Sequence, residues 1–298
     1  MSITIGTRGS KLALAQTETV MKKLAALGIP SEKQIISTQG DTTTGVPLHA
    51  IGGQGVFVRA LDDAILAGEI DCAVHSMKDI PAFRPHGLFT AAVLKRDSPA
   101  DYIAHTIPLG KVKVIGTSST RRTAQLLRHD PDLMVKDLRG NVDTRLRKLN
   151  EGEYDAIILA EAGLTRLGIR IPGDRFPPEK FVPSPNQGTI AVVSRSDPSL
   201  MEMLSALDHP QTRNDVLIER AVMEQLGGGC YTPLGIYCRA GHLIAEVLSL
   251  DGARTERIEV DVKTIEEARE KGRLLKGKAQ DLIDEACRQL GISKEEYP

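Results

Sequence analysis

The chain opens on an apolar–polar alternation, Ile3-Thr4-Ile5, which predicts a strand. A turn, Gly6-Thr7-Arg8-Gly9-Ser10, follows, and Lys11–Gln16 has helical spacing. The same order returns with Val112–Ile115 as strand, Gly116–Arg122 as turn and Thr123–Leu127 as helix. A second echo pairs Gly68-Glu69-Ile70-Asp71-Cys72-Ala73-Val74 with Gly152-Glu153-Tyr154-Asp155-Ala156-Ile157-Ile158. Each member predicts a helix end followed by a buried strand. One short echo arises easily by chance, but two in the same order point to a pair of similar α/β lobes. Strand–helix alternation predicts parallel or mixed sheets with helices on their faces, and ligands in such sheets sit beyond the carboxyl ends of the strands. Hinge segments are expected near Lys95–Pro99 and Pro183–Thr189.

From about Asn214 the pattern changes. A helix is predicted from Asp215 to Leu226, stopped by Gly227-Gly228-Gly229. Strands are predicted at Leu234–Cys238, Leu243–Leu250 and Arg257–Val262, with hairpin-like turns between them, and a charged amphipathic helix at about Thr264–Leu290. The expected fold is therefore α/β: two similar lobes around a cleft, plus a small α+β C-terminal domain with a three-stranded antiparallel sheet. The expected boundaries are 1–95 with 189–210 for the first lobe, 99–184 for the second and 212–298 for the C-terminal domain.

Composition narrows the function classes. The 298 residues suit two or three domains at roughly 150 residues each. A net charge of -1, 3% aromatic residues and no Trp argue against a nucleic-acid partner. No apolar run approaches the ~20 residues of a membrane helix, so no membrane partner is expected. The start lacks a basic leader followed by an apolar stretch, and the expected location is the cytoplasm. Cys72, Cys230, Cys238 and Cys287 form no C-x-x-C pair, and no Cys/His spacing supports a metal. No exposed apolar helix demands a partner, so a monomer is expected.

The candidate chemistry is cationic. Arg8, Arg121, Arg122, Arg139 and Arg145 fall on strand-end turns, where paired guanidinium donors suit carboxylates or phosphates. Helix starts after Ser10 and Ser119 add main-chain N–H groups. A single arginine is usually just solvated surface, which is the better reading of Arg147. Lys78 and Asp79 follow the buried run Ala73-Val74-His75-Ser76. A lone aspartate there is often only a turn residue, yet one among arginines stays ionised and can stabilise a cation or move protons. Cys230 sits after three glycines, where a thiol is either a small apolar filler or an attachment point. Gly272–Ala279 imitates a phosphate-binding loop, but Ala279 replaces the required Ser/Thr and a helix, not a strand, precedes it. Gly52-Gly53-Gln54-Gly55 is not a dinucleotide fingerprint either; it suggests a mobile turn opening a helix, Val56–Leu66.

Taken together, His75–Pro81, Gly116–Ser119 with Arg121-Arg122, Leu138-Arg139-Gly140-Asn141-Val142 with Thr144-Arg145, and Gly228-Gly229-Cys230 resemble the porphobilinogen deaminase (hydroxymethylbilane synthase) family, in that family's order. The resemblance implies lobes like those of periplasmic anion-binding proteins. It implies a transferase of tetrapyrrole (haem) biosynthesis that deaminates four porphobilinogen molecules and joins them head to tail. It implies a dipyrromethane cofactor, held by a thioether to Cys230, and release of 1-hydroxymethylbilane and ammonia. Asp79 then corresponds to the catalytic aspartate. Lys78, Thr117, Ser119, Arg121, Arg122, Arg139 and Arg145 correspond to cofactor-binding residues. Arg8, Ser10, Arg166 and Gln187 match positions lining the substrate cleft. Gln54 departs from the lysine usual in that turn, which puts the loop contacts at about Asp41–Gly55 in doubt but not the reaction. The rival reading is a two-lobed protein that binds a small anion without chemistry.

Overall fold

The structure, a computed structural model, describes residues 2–37, 58–82, 84–227 and 232–292. In chain order the first elements are β1 (Ile3–Thr7), α1 (Lys11–Ala26), β2 (Ser31–Ile35), α2 (Arg59–Leu66), β3 (Cys72–Ser76) and β4 (Leu88–Val93). Next come β5 (Asp101–His105), β6 (Val114–Gly116), α3 (Thr120–His129), β7 (Met134–Lys136), α4 (Val142–Asn150), β8 (Ala156–Ala160), α5 (Glu161–Arg166) and β9 (Gly173–Arg175). The last are β10 (Ile190–Arg195), α6 (Pro198–Ser205), α7 (Pro210–Gln225), β11 (Leu234–Arg239), β12 (His242–Leu248), β13 (Thr255–Asp261) and α8 (Ile265–Leu290). The chain divides into two compact units, one of Met1–Asp97 with Gly188–Arg213 and the other of Ser98–Gln187 with Asn214–Pro298.

Unit 1 holds one five-stranded sheet in the order β2-β1-β3-β10-β4. β1 runs parallel to β2 and β3, and β10 runs antiparallel to β3 and β4. On α1 the buried positions Gln16, Thr17, Val20 and Leu24 form one helical stripe. Val20 and Leu24 join Ile3, Ile5, Val74 and Val192 in the core beneath it.

Unit 2 repeats that sheet as β7-β6-β8-β5-β9, with β6 parallel to β7 and β8 and β5 antiparallel to β8. The sequence echoes have a physical cause. Ile5 and Gly6 pair with Cys72 and Ala73, and Ile115 and Gly116 pair with Ala156 and Ile157. Asp71 accepts the Thr4 N–H at 2.8 Å, and Asp155 accepts the Val114 N–H at 2.8 Å. A Cβ on Gly6 would lie 2.2 Å from Ile70 Cδ1, and one on Gly116 would lie 2.7 Å from the Tyr154 ring. Each Gly-Glu-x-Asp segment thus packs its third residue on the glycine of the neighbouring strand and ties that strand down with its aspartate.

The rest of unit 2 is the antiparallel sheet β11-β12-β13 with α7 from Asn214 onward and α8. It grips α3. Glu246 is fully buried and accepts from Arg128 of α3 at 3.1 Å and from Arg257 at 3.2 Å. Gly252, at φ +73°, comes so close to α3 that a Cβ there would sit 2.2 Å from the Ala124 carbonyl.

Three helix starts differ from the sequence expectation. α3 begins at Thr120 rather than Thr123, because Ser119 caps it. α7 begins at Pro210 rather than Asp215, because the His209 ring Nδ1 accepts the Thr212 N–H at 3.2 Å and Pro210 suits the first helical position. α2 begins at Arg59, and residues 38–57, including Gln54, lie outside the described residues. The stretch imitating a phosphate loop lies inside α8. No helix among the described residues is long and apolar enough to cross a membrane.

Candidate functional site

In unit 1 the parallel neighbours β1 and β3 end side by side, so the segments that follow them meet. After β1 come Arg8 and then Ser10, whose Oγ accepts the Ala13 N–H at 3.3 Å and caps α1. After β3 a 3-10 turn, Met77–Asp79, is anchored by buried Met77, whose N–H donates to the Thr189 carbonyl at 2.9 Å. Asp79 is left exposed and Lys78 half-buried. Arg8, Ser10 and Asp79 line one cavity of about 60 Å³ together with Gln16, Val58, Val74, His75 and Ser76. Gln16 Nε2 donates to Ser76 Oγ at 2.8 Å, closing one wall. His75 is buried, and among the described residues its Nε2 has no hydrogen-bond partner. Burial, then the nearby charges of Arg84 and Arg8, push its pKa down to about 3, so the ring is neutral.

In unit 2 the corresponding turn follows β6. Thr117 is buried and its Oγ1 accepts the Ser119 N–H at 3.2 Å; Ser119 Oγ in turn caps α3 by accepting the Arg122 N–H at 3.4 Å. Asn141 caps α4, accepting the Thr144 N–H at 3.0 Å. Arg139 lies in the turn before that cap, and Arg145 within α4. Arg145 Nε donates to the Gly140 carbonyl at 2.8 Å. Among the described residues no carboxylate pairs with Arg145. Burial, reinforced by the charge of Arg122, pulls its guanidinium down to about 10. Arg166 is the last residue of α5.

Arg121 and Arg122 differ from the strand-end cleft positions expected of them. Both are buried in the first turn of α3 and close on Asp101, which is 0% exposed. Arg121 Nη2 donates to Asp101 Oδ2 at 2.7 Å and its Nη1 to the Val182 carbonyl at 2.9 Å. Arg122 donates to Asp101 Oδ1 through Nη2 at 2.6 Å and Nε at 3.1 Å, and to the Ile158 carbonyl through Nη1 at 3.0 Å. Gln187, expected to face substrate, also donates to Asp101 Oδ1, at 2.9 Å. Burial alone would raise the pKa of Asp101, but the two guanidiniums override it and hold the carboxyl well below the usual range. The sequence offered no sign of Asp101, a lone acid heading a strand, because its partners lie 20, 21 and 86 residues away. The structure therefore groups Arg8, Ser10 and Asp79 in unit 1, and Arg121, Arg122 and Gln187 in unit 2. Cys230 lies outside the described residues.

Comparison with known proteins adds a family to this geometry. The family model described as "Porphobilinogen deaminase, dipyromethane cofactor binding domain" matches residues 3–203, and that of the "Porphobilinogen deaminase, C-terminal domain" matches 214–281. The chain belongs to the porphobilinogen deaminase family. A relative from Methanosarcina acetivorans, named "Probable porphobilinogen deaminase", is 52% identical over 96% of this chain and 95% of its own length. One of the same name from Archaeoglobus fulgidus is 45% identical over 93% of this chain and 98% of its own. A bacterial "Porphobilinogen deaminase" from Rubrobacter xylanophilus is 44% identical over 84% of this chain and 86% of its own. The family's cofactor domain accordingly runs from β1 into α6, and its C-terminal domain runs from within α7 through most of α8.

Proposed function

We propose that this chain is a hydroxymethylbilane synthase. It deaminates four porphobilinogen molecules and joins them head to tail onto a dipyrromethane tethered by a thioether to Cys230, releasing one ammonia at each joining; water then hydrolyses the bond to the dipyrromethane and frees 1-hydroxymethylbilane. One observation carries the reading: a single cavity in unit 1 is lined by a guanidinium, the start of α1 and the carboxylate of Asp79. Porphobilinogen carries two carboxylates and an aminomethyl group, so it needs both signs of charge within one small site.

The dipyrromethane supplies the pyrrole carbon that starts the chain. The protein's own groups do the rest. Arg8 and Ser10 orient substrate carboxylates, with Arg166 a further substrate contact. Asp79 moves a proton at the aminomethyl nitrogen as ammonia leaves, and its charge stabilises the positive pyrrole nitrogen. Lys78, Thr117, Ser119, Arg139 and Arg145 hold the cofactor's carboxylates. Arg145 supports that fit, since a desolvated guanidinium without a carboxylate of its own suits a group that brings several. Arg121, Arg122 and Gln187, with the donors described above on Asp101, act through their field and by fixing the start of α3. The enzyme works as a cytoplasmic monomer.

Incubation with porphobilinogen should release ammonia and, after acid oxidation, give a porphyrin; a protein that binds porphobilinogen without releasing ammonia supports the anion-binding alternative instead. Intact mass should show a dipyrrole adduct that Cys230→Ser lacks. Arg145→Gln should lower the holoenzyme fraction by about 10- to 150-fold, as expected when one charged hydrogen bond worth roughly 1.5–3 kcal/mol is lost. Its melting temperature should stay within a few degrees of wild type, because no carboxylate is left unpaired. Full adduct occupancy in Arg145→Gln would remove this residue from cofactor binding.

A further inference from the structure

Two walls of the unit 1 cavity are joined by a buried ion pair that none of the roles above uses. One wall is Val58, at the start of α2, and the other is the turn that ends on Asp79. Asp62 stands one helical turn beyond Val58, with its N–H on the Val58 carbonyl at 2.9 Å. Arg84 follows Asp79 by five residues, past buried Ile80, and its Nη2 donates to Asp62 Oδ1. The side chains of Arg84 and Asp62 are 10% and 6% exposed, so water hardly reaches the pair. The guanidinium lies close enough to the cavity wall for its charge to help keep His75 neutral.

Stability alone does not account for this pair. Among the described residues, Nε and Nη1 of Arg84 are buried without partners, and burial raises the pKa of Asp62 more than Arg84 lowers it. Replacing such a pair by apolar side chains of similar volume is often neutral or stabilising. What the pair adds is direction, since one N–H···O bond fixes a distance and an angle that apolar contact leaves loose. We propose that Asp62 and Arg84 are positioning residues, whose bond braces the Asp79 turn against α2 and so keeps the Asp79 carboxylate aimed at the reacting aminomethyl nitrogen. The assignment rests on the role given to Asp79 above and adds two residues that act through it.

The test uses the holoenzyme and porphobilinogen. Removing either partner alone strands a buried charge, so both are replaced together, as Asp62→Val with Arg84→Met. The melting temperature should match or exceed wild type, while kcat falls by about 10- to 100-fold and KM stays within about threefold. A purely structural pair would move the melting temperature and leave kcat alone. Arg84→Lys still offers one N–H to Asp62 and should keep kcat within about threefold of wild type. In an Asp79→Asn background the double replacement should cost nothing more, because the brace then has no carboxylate to aim. Asp62→Asn, which keeps the shape and an acceptor oxygen, should give a smaller loss in the same cycle and decides the matter if the double replacement does not fold. Intact mass confirms that each variant carries its dipyrrole. A loaded double variant with wild-type kcat would overturn the assignment, as would a loss of equal size in the absence of the Asp79 carboxylate. Undiminished turnover in Asp79→Asn itself, or no ammonia from wild type, would overturn the reading beneath it instead.

Discussion

Asp79→Asn lowers porphobilinogen turnover by about 10²–10⁴-fold, the range expected when a positioned acid–base group is lost. The substitution keeps the size of the side chain and removes its charge and its titrating proton. Asp79 is exposed at the end of the turn Met77–Asp79, while the turn itself is held by buried Met77 and its main-chain bond to Thr189. The fold therefore persists, and circular dichroism should give a melting curve that overlays wild type. Substrate should still bind, because Arg8 and the start of α1 are untouched, so the loss appears in kcat rather than KM. Turnover within a few-fold of wild type would remove Asp79 from the chemistry.

Asp101→Ala acts on stability instead. It leaves two buried guanidiniums without their shared counter-charge, and breaking a buried pair in this way costs about 3–5 kcal/mol. At roughly 2–4 °C per kcal/mol for a unit of this size, the melting temperature should fall by about 6–20 °C. The pH dependence has a fixed sign. The folded pKa of Asp101 lies below its unfolded value, so its contribution is fully present above about pH 4, the ordinary carboxyl pKa. It is lost as the pH falls from there toward the folded value. Urea melts should therefore show the gap between wild type and Asp101→Ala narrowing below about pH 4 and constant above it. A variant as stable as wild type at pH 7 would show that Arg121 and Arg122 need no counter-charge.

Much of this architecture was legible in the residues. The two echoes marked β1 with β3 and β6 with β8, because local packing imposed the same glycine, hydrophobic and aspartate spacing on both lobes. The three C-terminal strands and α8 followed from alternation and helical spacing. Arg8, Ser10 and Asp79 stand at strand ends in the sequence, and the fold sets them around one cavity. What stayed hidden depended on distant partners or unusual caps. Arg121 and Arg122 share the spacing of surface arginines, and only the fold brings Asp101 to them. His209 caps α7 through an imidazole nitrogen, a role that no local composition signals.

The grip on α3 has a consequence for distant damage. Its first turn carries Ser119, Arg121 and Arg122, while Ala124 and Arg128 near its far end abut Gly252 and Glu246. From Arg122 to Arg128 is only about 9 Å of helix rise, too short to absorb a shift by bending. A side chain forced in at Gly252 would push on this stiff strut and tilt the turn that seats Arg121 and Arg122 on Asp101. Lesions in the C-terminal sheet would then surface far away, as a loosened ion cluster at Asp101 in a protein whose strands are all intact.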